Sequence, residues 1–373
     1  MPEQPLRILD HREVPEARQR LHPDGYFELR DRAKDVIVSG GGPGATGASP
    51  ASTHMLGAMS VRVVPTAEEI ERAAAGLDPV FAHSPLLRGT ALDDDGARVA
   101  LKVETLNPIR SFKGRGAVTW MREAGADAPG LVCASAGNFG QGLAYAARAS
   151  GVPCHVYVGR SANAAKVEAM RRLGARVEVG GDDFDAAIAT ARAFAASEDL
   201  RFVQDGMDPW IAAGAGTMAL EVTAAGLVPD VALVPVGNSA LILGIAAWLR
   251  PRGVRIVGVC AEGAPAPALS WRERRQVATE RADTIADGIG VREPFPESVA
   301  GMLELVDDMV LVSEAQLRAA MRRLAADTSL LVEAAGAAGV AALLADPEPY
   351  RGASVLTPLC GGNLLPGALD WRD

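Results

Sequence analysis

After residue 59, short runs of β-branched residues alternate with longer, alanine-rich amphipathic segments. This alternation predicts βα units and a parallel sheet layered between helices, because consecutive parallel strands need a crossover connection. Several runs are apolar on both faces, as strands covered on both sides are. The predicted strands are 99–103, 131–134, 155–158, 176–179, 231–236, 255–259 and 354–357, and the predicted helices include 163–173, 185–196 and 314–326.

Composition narrows the class of protein. Of the 373 residues, 49% are hydrophobic and 22% are charged, which excludes a disordered chain, collagen and a coiled coil. The net charge is −9 and no basic stripe with interleaved aromatic residues occurs, so we expect no nucleic-acid partner. The N-terminus lacks the apolar core of a secretory signal, and the apolar stretch 240–249 is shorter than the roughly 20 residues of a membrane helix. We therefore expect a cytoplasmic protein without a membrane partner.

The N-terminal residues 1–54 differ from the rest of the chain and predict a non-core extension. Residues 40–53 read GGGPGATGASPAST, which is typical of a flexible linker. The alternative, a phosphate-binding glycine loop, requires a helix directly after it. Residues 25–41 (GYFELRDRAKDVIVSGG) resemble the hinge segment of acyl-CoA ligases, although nothing else in the chain does. We hypothesise a relic of a gene fusion or a misplaced start codon, with the domain beginning near Met55 or Met59.

Three segments follow predicted strands at the carboxyl ends, where open α/β sheets bind ligands. The first contains Lys113, which stands between Phe112 and a run of small residues at a predicted helix start. A partly desolvated lysine in such a place has a lowered pKa and can form a Schiff base with a carbonyl compound. The alternative is an ordinary solvated lysine, because burial cannot be read from the sequence.

The next two segments offer backbone donors. Residues 134–142 (ASAGNFGQG) join a strand to a helix whose free amides can hold a carboxylate. The alternative is a plain turn with Asn138 as the helix cap. Residues 236–241 (VGNSAL) form the same arrangement, which is suited to phosphate, or a plain turn that Asn238 or Ser239 caps.

A fourth segment, 357–363 (TPLCGGN), follows the last predicted strand. The two glycines directly after Cys360 indicate a close approach of the backbone to another group. Together the four segments resemble those of the fold type II pyridoxal-phosphate enzymes, most closely the threonine and serine dehydratase branch, over residues 80–365. SFKGRGA at 111–117 is similar to the lysine motif of that family, and SAGNFGQG at 135–142 is similar to its substrate loop.

The resemblance implies a role for each segment. It implies that Lys113, next to Phe112, carries pyridoxal 5′-phosphate covalently, and that Asn138 contacts the phenolic oxygen of the cofactor. Cys360 stands where the family places a Ser or Cys beside the pyridine nitrogen. The implied site for the substrate carboxylate comprises Ser135, Ala136, Gly137 and Asn138, and the implied phosphate loop comprises Gly237, Asn238, Ser239, Ala240 and Leu241.

Two departures from the family pattern matter. The phosphate loop of the family is four glycines and a leucine, whereas three of these glycines are replaced here by Asn238, Ser239 and Ala240. Backbone donors remain, but we expect Asn238 and Ala240 to need φ values that glycine adopts more easily. Phe139 stands where many members have His, so any role of that imidazole is lost.

The implied reaction is β-elimination from a hydroxy amino acid such as L-threonine or L-serine, which gives a 2-oxo acid and ammonia. Lys113 is the implied base for the α-proton. A neutral thiol at Cys360 does not keep the ring nitrogen protonated as a carboxylate does, which favours concerted loss of a β-substituent. The alternatives are racemisation, β-replacement, and a non-catalytic binding protein of the same fold. Racemising members carry a second hydroxyl base where this chain has Ala136, and the β-replacement branch has a different lysine motif.

The resemblance also implies an α/β architecture of two three-layer α/β/α domains with the cofactor in the cleft between them. We predict a large cofactor-binding domain from 55–129 and 209–373 and a small substrate-closing domain from 130–208. We further expect a homodimer that acts on a small-molecule amino acid. Four widely spaced cysteines predict reduced thiols. No metal site is predicted, because Glu262 lacks the nearby Asp of the metal-binding relatives.

Overall fold

The computed structural model describes residues 19–21, 27–29, 36–38, 61–160 and 162–364. The chain divides into two compact units, 1–58 and 59–373. The first unit contains a three-stranded antiparallel sheet of β1 (Gln19–Leu21), β2 (Phe27–Leu29) and β3 (Val36–Val38), in that order. The predicted linker, Met55 and Met59 lie outside the described residues.

The second unit alternates strands and helices as the sequence predicts. All seven predicted strands and all three predicted helices form, with ends within a few residues of those expected. The strands are β4 (Leu86–Leu87), β5 (Arg98–Val103), β6 (Leu131–Ala134), β7 (Cys154–Gly159), β8 (Arg176–Gly181), β9 (Arg201–Phe202), β10 (Val231–Pro235), β11 (Arg255–Ala261), β12 (Asp308–Val312) and β13 (Ser354–Leu359). The helices are α1 (Ala67–Ala75), α2 (Lys113–Ala124), α3 (Asn138–Ser150), α4 (Ala164–Arg172), α5 (Phe184–Ser197), α6 (Pro209–Ala224), α7 (Ala240–Leu249), α8 (Ala266–Glu273), α9 (Pro296–Leu305), α10 (Glu314–Thr328) and α11 (Ala334–Ala345).

Two sheets organise this unit. The larger has the order β12-β11-β10-β13-β5-β4, and its neighbours are parallel except for β4, which pairs antiparallel with β5. The smaller has the order β8-β7-β6-β9 and is entirely parallel. The sequence analysis missed β4 and β9, which have two residues each and hence no period. It also missed β12, a five-residue strand that begins at Asp308.

Apolar side chains cover both faces of each sheet. In the larger sheet, α6 and α7 belong to the cluster on one face, whereas α10 and α11 belong to the cluster on the other. In the smaller sheet, α2 and α3 share a cluster with β6 and β7, and α5 packs in a separate cluster. The four cysteines are buried and free. Within the described ranges, no helix has both the length and the apolar character that a membrane span needs.

A network of buried charges lies beneath the start of α2. The Arg115 side chain is fully buried, and its Nε donates to Glu104 Oε2 at 2.9 Å. Its two terminal nitrogens donate to the two oxygens of Glu221 at 2.8 and 3.0 Å. Lys102 Nζ lies 2.5 Å from Glu221 Oε2, so two cations balance two carboxylates. Burial acts to lower the pKa of Arg115, but the nearby carboxylates of Glu104 and Glu221 have a larger effect and raise it. Arg115 therefore stays ionised.

Helix α2 packs against α3 and α6 through glycines. A Cβ at Gly142 of α3 would lie 2.9 Å from the carbonyl oxygen of Lys113, and one at Gly116 would lie 2.6 Å from the carbonyl oxygen of Ile211. A Cβ at Gly214 of α6 would collide with the carbonyl oxygen of Arg115. The backbones of these helices are therefore in direct contact around the first turn of α2, and any larger residue would displace it.

We expect Arg115→Met to lower the free energy of unfolding by about 3–5 kcal/mol, because it leaves two buried carboxylates with a single cation. Arg115→Lys keeps the charge but not the two-pronged geometry, so the loss should be smaller. Urea unfolding followed by circular dichroism measures both losses. An Arg115→Met loss no larger than that of Arg115→Lys would contradict this account of the network.

Candidate active site

A cleft of about 1160 Å³ opens where strands of both sheets end. Five strands, β5, β6, β9, β10 and β13, are each followed in the chain by a polar residue that lines it. These residues are Lys113, Asn138, Asp205, Asn238 and Cys360. The cleft therefore occupies the position at which parallel sheets bind ligands.

The structure brings residues of all four predicted segments to this cleft. The predicted site residues that line it are Phe112, Lys113, Ser135, Ala136, Gly137, Asn138, Asn238 and Cys360. The rest of the predicted phosphate loop surrounds the start of α7. There, Gly237 is half-buried, whereas Ser239, Ala240 and Leu241 are buried.

Lys113 is the first residue of α2 and points its amine into the cleft. Its Nζ lies 2.6 Å from Asp205 Oδ2 and 4.7 Å from the centroid of the Phe112 ring. The side chain is 13% exposed. The alternative of an ordinary solvated lysine is therefore wrong, and Lys113 is a largely enclosed amine with a carboxylate beside it.

Asp205 is a site residue that the sequence analysis missed. Its Oδ2 also accepts a hydrogen bond from Asn238 Nδ2 at 3.3 Å. Its Oδ1 is buried and has no hydrogen-bond partner in the described part of the chain. Asp205 follows β9, and the two residues of that strand gave no period that would have marked the loop as a strand end. Only the apolar pair at 202–203, followed by polar residues, signals this loop in the sequence.

The segment before α3 leaves open space at Gly137. Ser135 Oγ accepts hydrogen bonds from the amides of Gly137 and Gly140 at 3.3 and 3.0 Å. A Cβ at Gly137 would have no atom within 4 Å, so this residue faces open space. Gly137 is the N-cap of α3 and Asn138 is its first residue. The alternative in which Asn138 caps the helix is therefore wrong.

The Asn138 side chain is held by partners from the other end of the chain. Its Nδ2 donates to Glu333 Oε1 at 2.6 Å, and its Oδ1 accepts from Asn363 Nδ2 at 2.9 Å. Glu333 Oε2 also accepts from the amide of Asn363 at 3.2 Å. Both ends of the Asn138 amide are engaged, which fixes its orientation. Burial raises the pKa of Glu333 to about 7, against smaller lowering by Lys166 and by its hydrogen bonds.

The glycines after Cys360 make the close approach that the sequence indicates. A Cβ at Gly361 would collide with Glu333 Oε1 and would lie 3.0 Å from Asn138 Nδ2. Cys360 itself is buried, and its Sγ contacts the carbonyl oxygen of Ala335 at 3.8 Å. Burial raises the pKa of the Cys360 thiol far above its usual range. The thiol is therefore neutral, as expected.

The turn before α7 differs from the expectation. Ser239 adopts a left-handed conformation with φ +70°, whereas Asn238 and Ala240 are not among the described non-glycine residues with positive φ. The prediction that Asn238 and Ala240 carry the strain is wrong, because the chain reverses at the N-cap residue Ser239 instead. The amides of the first turn of α7 have no partners within the helix and are available to an anion.

Ion pairs line the rim of the cleft. Lys166 of α4 is buried and pairs with Asp287, and Arg292 pairs with Asp185 of α5. Of the residues that line the cleft, eight are acidic and four are basic. The lining as a whole therefore carries an excess of negative charge.

Comparisons with known proteins match most of the second unit. A family model described as pyridoxal-phosphate dependent enzyme matches residues 77–361. The chain is 33% identical to an L-threonine ammonia-lyase of Thermotoga maritima over 310 residues, which cover 82% of this chain and 77% of that protein. It is 38% identical to an L-threonine ammonia-lyase of Geobacter sulfurreducens over 275 residues, which cover 72% of this chain and 68% of that protein.

A solved structure is also similar. It is the processed form of threonine deaminase isoform 2 from Solanum lycopersicum, with a TM-score of 0.75 and 27% identity. The match covers 83% of this chain and 93% of that chain. The family model does not reach residues 25–41, so the resemblance of that segment to acyl-CoA ligases stays a prediction.

We expect Ser239→Val to be less stable than Ser239→Gly by about 1–2 kcal/mol, because a β-branched residue is strained at positive φ whereas glycine is not. Chemical unfolding of the two variants beside the wild type measures the difference. Equal stability would mean that residue 239 does not keep its left-handed conformation in solution.

The raised pKa of Glu333 predicts a pH dependence of stability. Between its ordinary value of 4.5 and about 7, the folded protein binds more protons at this group than the unfolded chain does. This group therefore lowers the free energy of unfolding as pH rises through that window, by up to about 3 kcal/mol. Glu333→Gln cannot ionise, so its stability between pH 5 and 8 should vary less than that of the wild type. Glu71→Gln, at an exposed residue of α1, is the control and should leave the wild-type profile unchanged.

Proposed function

We infer the function from one premise: the chain belongs to the pyridoxal-phosphate dependent enzyme family, whose model matches residues 77–361. The α/β fold predicted for that family is confirmed, and the cofactor is pyridoxal phosphate. The chain is an ammonia-lyase that eliminates the β-substituent of an amino acid. We propose that it converts a hydroxy amino acid, L-threonine or L-serine, to a 2-oxo acid and ammonia. The L-threonine ammonia-lyases at 33% and 38% identity support this reaction.

The residues of the cleft fit this cofactor. Lys113 offers an enclosed amine for its aldehyde carbon. The free amides at the start of α7 suit its phosphate, with Gly237, Ser239, Ala240 and Leu241 forming the turn around them. The neutral thiol of Cys360 suits an unprotonated ring nitrogen, and Asn138 suits the phenolic oxygen. When bound, the cofactor supplies a conjugated ring that takes up the electrons left at the α-carbon of the substrate.

The side chains of this chain then have distinct tasks. Lys113 Nζ accepts the α-proton, because it is an enclosed amine in the cleft that these ligands would share. Ser135, Ala136, Gly137 and Asn138 hold the substrate carboxylate at the start of α3, where Gly137 leaves open space. Loss of the β-hydroxyl as water, followed by addition of water at the α-carbon, releases the 2-oxo acid and ammonia.

The geometry favours elimination over racemisation. Racemisation needs a second base on the opposite face of the substrate, and Ala136 lines the cleft with a methyl group. The neighbouring Ser135 hydroxyl accepts hydrogen bonds from two backbone amides, which lowers its basicity.

The predicted domain boundaries have one supporting observation. The strands of the smaller sheet lie within residues 131–202, which supports a small domain at 130–208 and a large one from 55–129 and 209–373. These boundaries stay predictions, and so do the homodimer, the cytoplasmic location and the lack of nucleic-acid and membrane partners.

The observation that carries the proposal is the enclosed Lys113 amine in the cleft that Asn138 and Cys360 also line, so Lys113 is the residue to test. We expect Lys113→Ala and Lys113→Arg to lower kcat for 2-oxo acid formation from L-threonine by at least about 1000-fold. Lys113→Arg keeps the charge but offers no amine for the aldehyde, which separates covalent chemistry from charge. Circular dichroism checks that both variants fold. Release of 2-oxo acid by either variant at the wild-type rate would exclude the proposed role of Lys113.

A further inference from the structure

The backbone next to Asp205 is packed against the turn before α7. Gly206 has φ +84°, and a Cβ at this residue would collide with the carbonyl oxygen of Asn238. The hydroxyl of Ser298, a fully buried residue, donates to the carbonyl oxygen of Gly206 at 3.3 Å. The amide of Met207 donates to the carbonyl oxygen of Gln204 at 3.2 Å, which closes a turn around Asp205. The loop therefore gives the Asp205 carboxylate a fixed base.

The two oxygens of this carboxylate have different surroundings. Oδ1 is buried and has no hydrogen-bond partner among the described residues. Oδ2 accepts from Lys113 Nζ at 2.6 Å and from Asn238 Nδ2 at 3.3 Å. Of the cations in the described part of the chain, only Lys113 forms an ion pair with Asp205. Because a buried carboxylate needs an opposite charge in place of its lost hydration, Asp205 depends on the lysine as much as the lysine depends on it.

Lys113 changes its charge during the proposed reaction. Its Nζ meets the substrate as a neutral amine and becomes an ammonium group when the Cα–H bond breaks and the proton forms a new N–H bond. The Lys113 side chain is 13% exposed, so water cannot fully hydrate that ammonium group. A charge-assisted hydrogen bond to Asp205 Oδ2 replaces the missing hydration. The ion pair of the structure is therefore the arrangement expected once Lys113 has taken the proton.

We propose that Asp205 is a positioning residue, which holds Lys113 Nζ in the cleft and stabilises it while it carries the proton taken from the substrate. The inference rests on the proposed function, in which Lys113 is the base, and adds a second residue to that step. Asp205 acts through Lys113. Without its carboxylate the amine remains in the cleft, but proton transfer to that amine is slower.

The kinetic test uses the holoenzyme and Asp205→Asn, a nearly isosteric change that removes the charge. The substrate is β-chloro-L-alanine, whose chloride leaves without a proton donor, so the rate reports on the breaking of the Cα–H bond. We expect kcat/KM to fall by at least about tenfold, with an α-deuterium isotope effect no smaller than that of the wild type. Asp205→Ser, checked by circular dichroism, replaces Asp205→Asn if the latter does not fold.

Glu280→Gln is the matched control, because Glu280 is an exposed residue that lines the same cleft. This change removes one negative charge from the lining without touching the ion pair of Lys113, so kcat/KM should stay within about twofold of the wild type. An equal fall in both variants would assign the effect to the overall charge of the cleft and overturn the proposal. An unchanged rate in Asp205→Asn, or a fall in which the isotope effect disappears, would overturn it as well.

The absorption spectrum of the holoenzyme supplies a readout that needs no turnover. It reports whether the nitrogen that joins Lys113 to the bound cofactor carries a proton. A carboxylate beside that nitrogen favours the charged form. We therefore expect Asp205→Asn to lower the pH midpoint of the spectral change by at least about one unit. A midpoint that does not move contradicts the proposed role of Asp205.

Other elements also bring ionisable groups into this cleft. Cys360 follows β13 and its thiol is neutral, whereas Lys166 of α4 is paired with Asp287. Glu333 precedes α11, and its pKa of about 7 makes it the group most able to disturb the spectral titration. The comparison of Asp205 with Asp205→Asn is therefore repeated in the Glu333→Gln background. The difference between the two midpoints should persist there, and its loss would assign the shift to Glu333 and overturn the proposal.

The two measurements separate this inference from the proposed function. If the wild type converts β-chloro-L-alanine but releases no 2-oxo acid from L-threonine or L-serine, the proposed function fails while the role of Asp205 is still decided by the kinetic comparison. If the wild type converts none of these amino acids, the spectral midpoint alone decides whether Asp205 stabilises the proton on the Lys113 nitrogen.

Discussion

A charge can remain in a protein interior only where opposite charges and hydrogen bonds compensate its lost hydration, and Arg115 meets that condition through Glu104 and Glu221. These two carboxylates belong to different parts of the fold. Glu104 directly follows β5, and Glu221 lies on α6. Arg115 stands two residues after Lys113 on α2, so its guanidinium ties the lysine-bearing turn to a strand end and to a neighbouring helix. The position of the reactive amine depends on this largely buried network.

The cleft itself follows from the arrangement of two parallel sheets. The carboxyl ends of parallel strands lie at the same edge of a sheet. Residues that follow different strands, and are remote in sequence, therefore meet there. Asn138 comes from the smaller sheet, whereas its partners Glu333 and Asn363 belong to segments around the larger one. Their hydrogen bonds join the two halves of the cleft. Because both ends of its amide are engaged, Asn138 enters a ligand contact already oriented.

Much of this arrangement could be read from the sequence, and the rest could not for physical reasons. The longer strands show as apolar runs, and the lysine and asparagine segments lie directly after or before recognisable elements, so their meeting was predictable. Asp205 was not, because the two-residue strand before it has no period. Ser239 has the left-handed conformation because it is the N-cap of α7. The path of the chain from β10 into α7 determines which residue needs a positive φ, and the residue type does not. The partners of Arg115 are also unpredictable, since Glu221 is 106 residues away along the chain.

The glycines around α2 have a consequence for the accuracy of the site. Side chains at a helix interface can usually change rotamer and let the helices slide by fractions of an ångström. At Gly116, Gly142 and Gly214 the contact is with backbone atoms of the opposing helix, which have no such freedom. The first turn of α2 therefore cannot shift toward α3 or α6 without a clash between backbone atoms. The backbone of Lys113 is therefore held in place. Small changes in the position of its amine must come from rotation about the bonds of its four-carbon side chain.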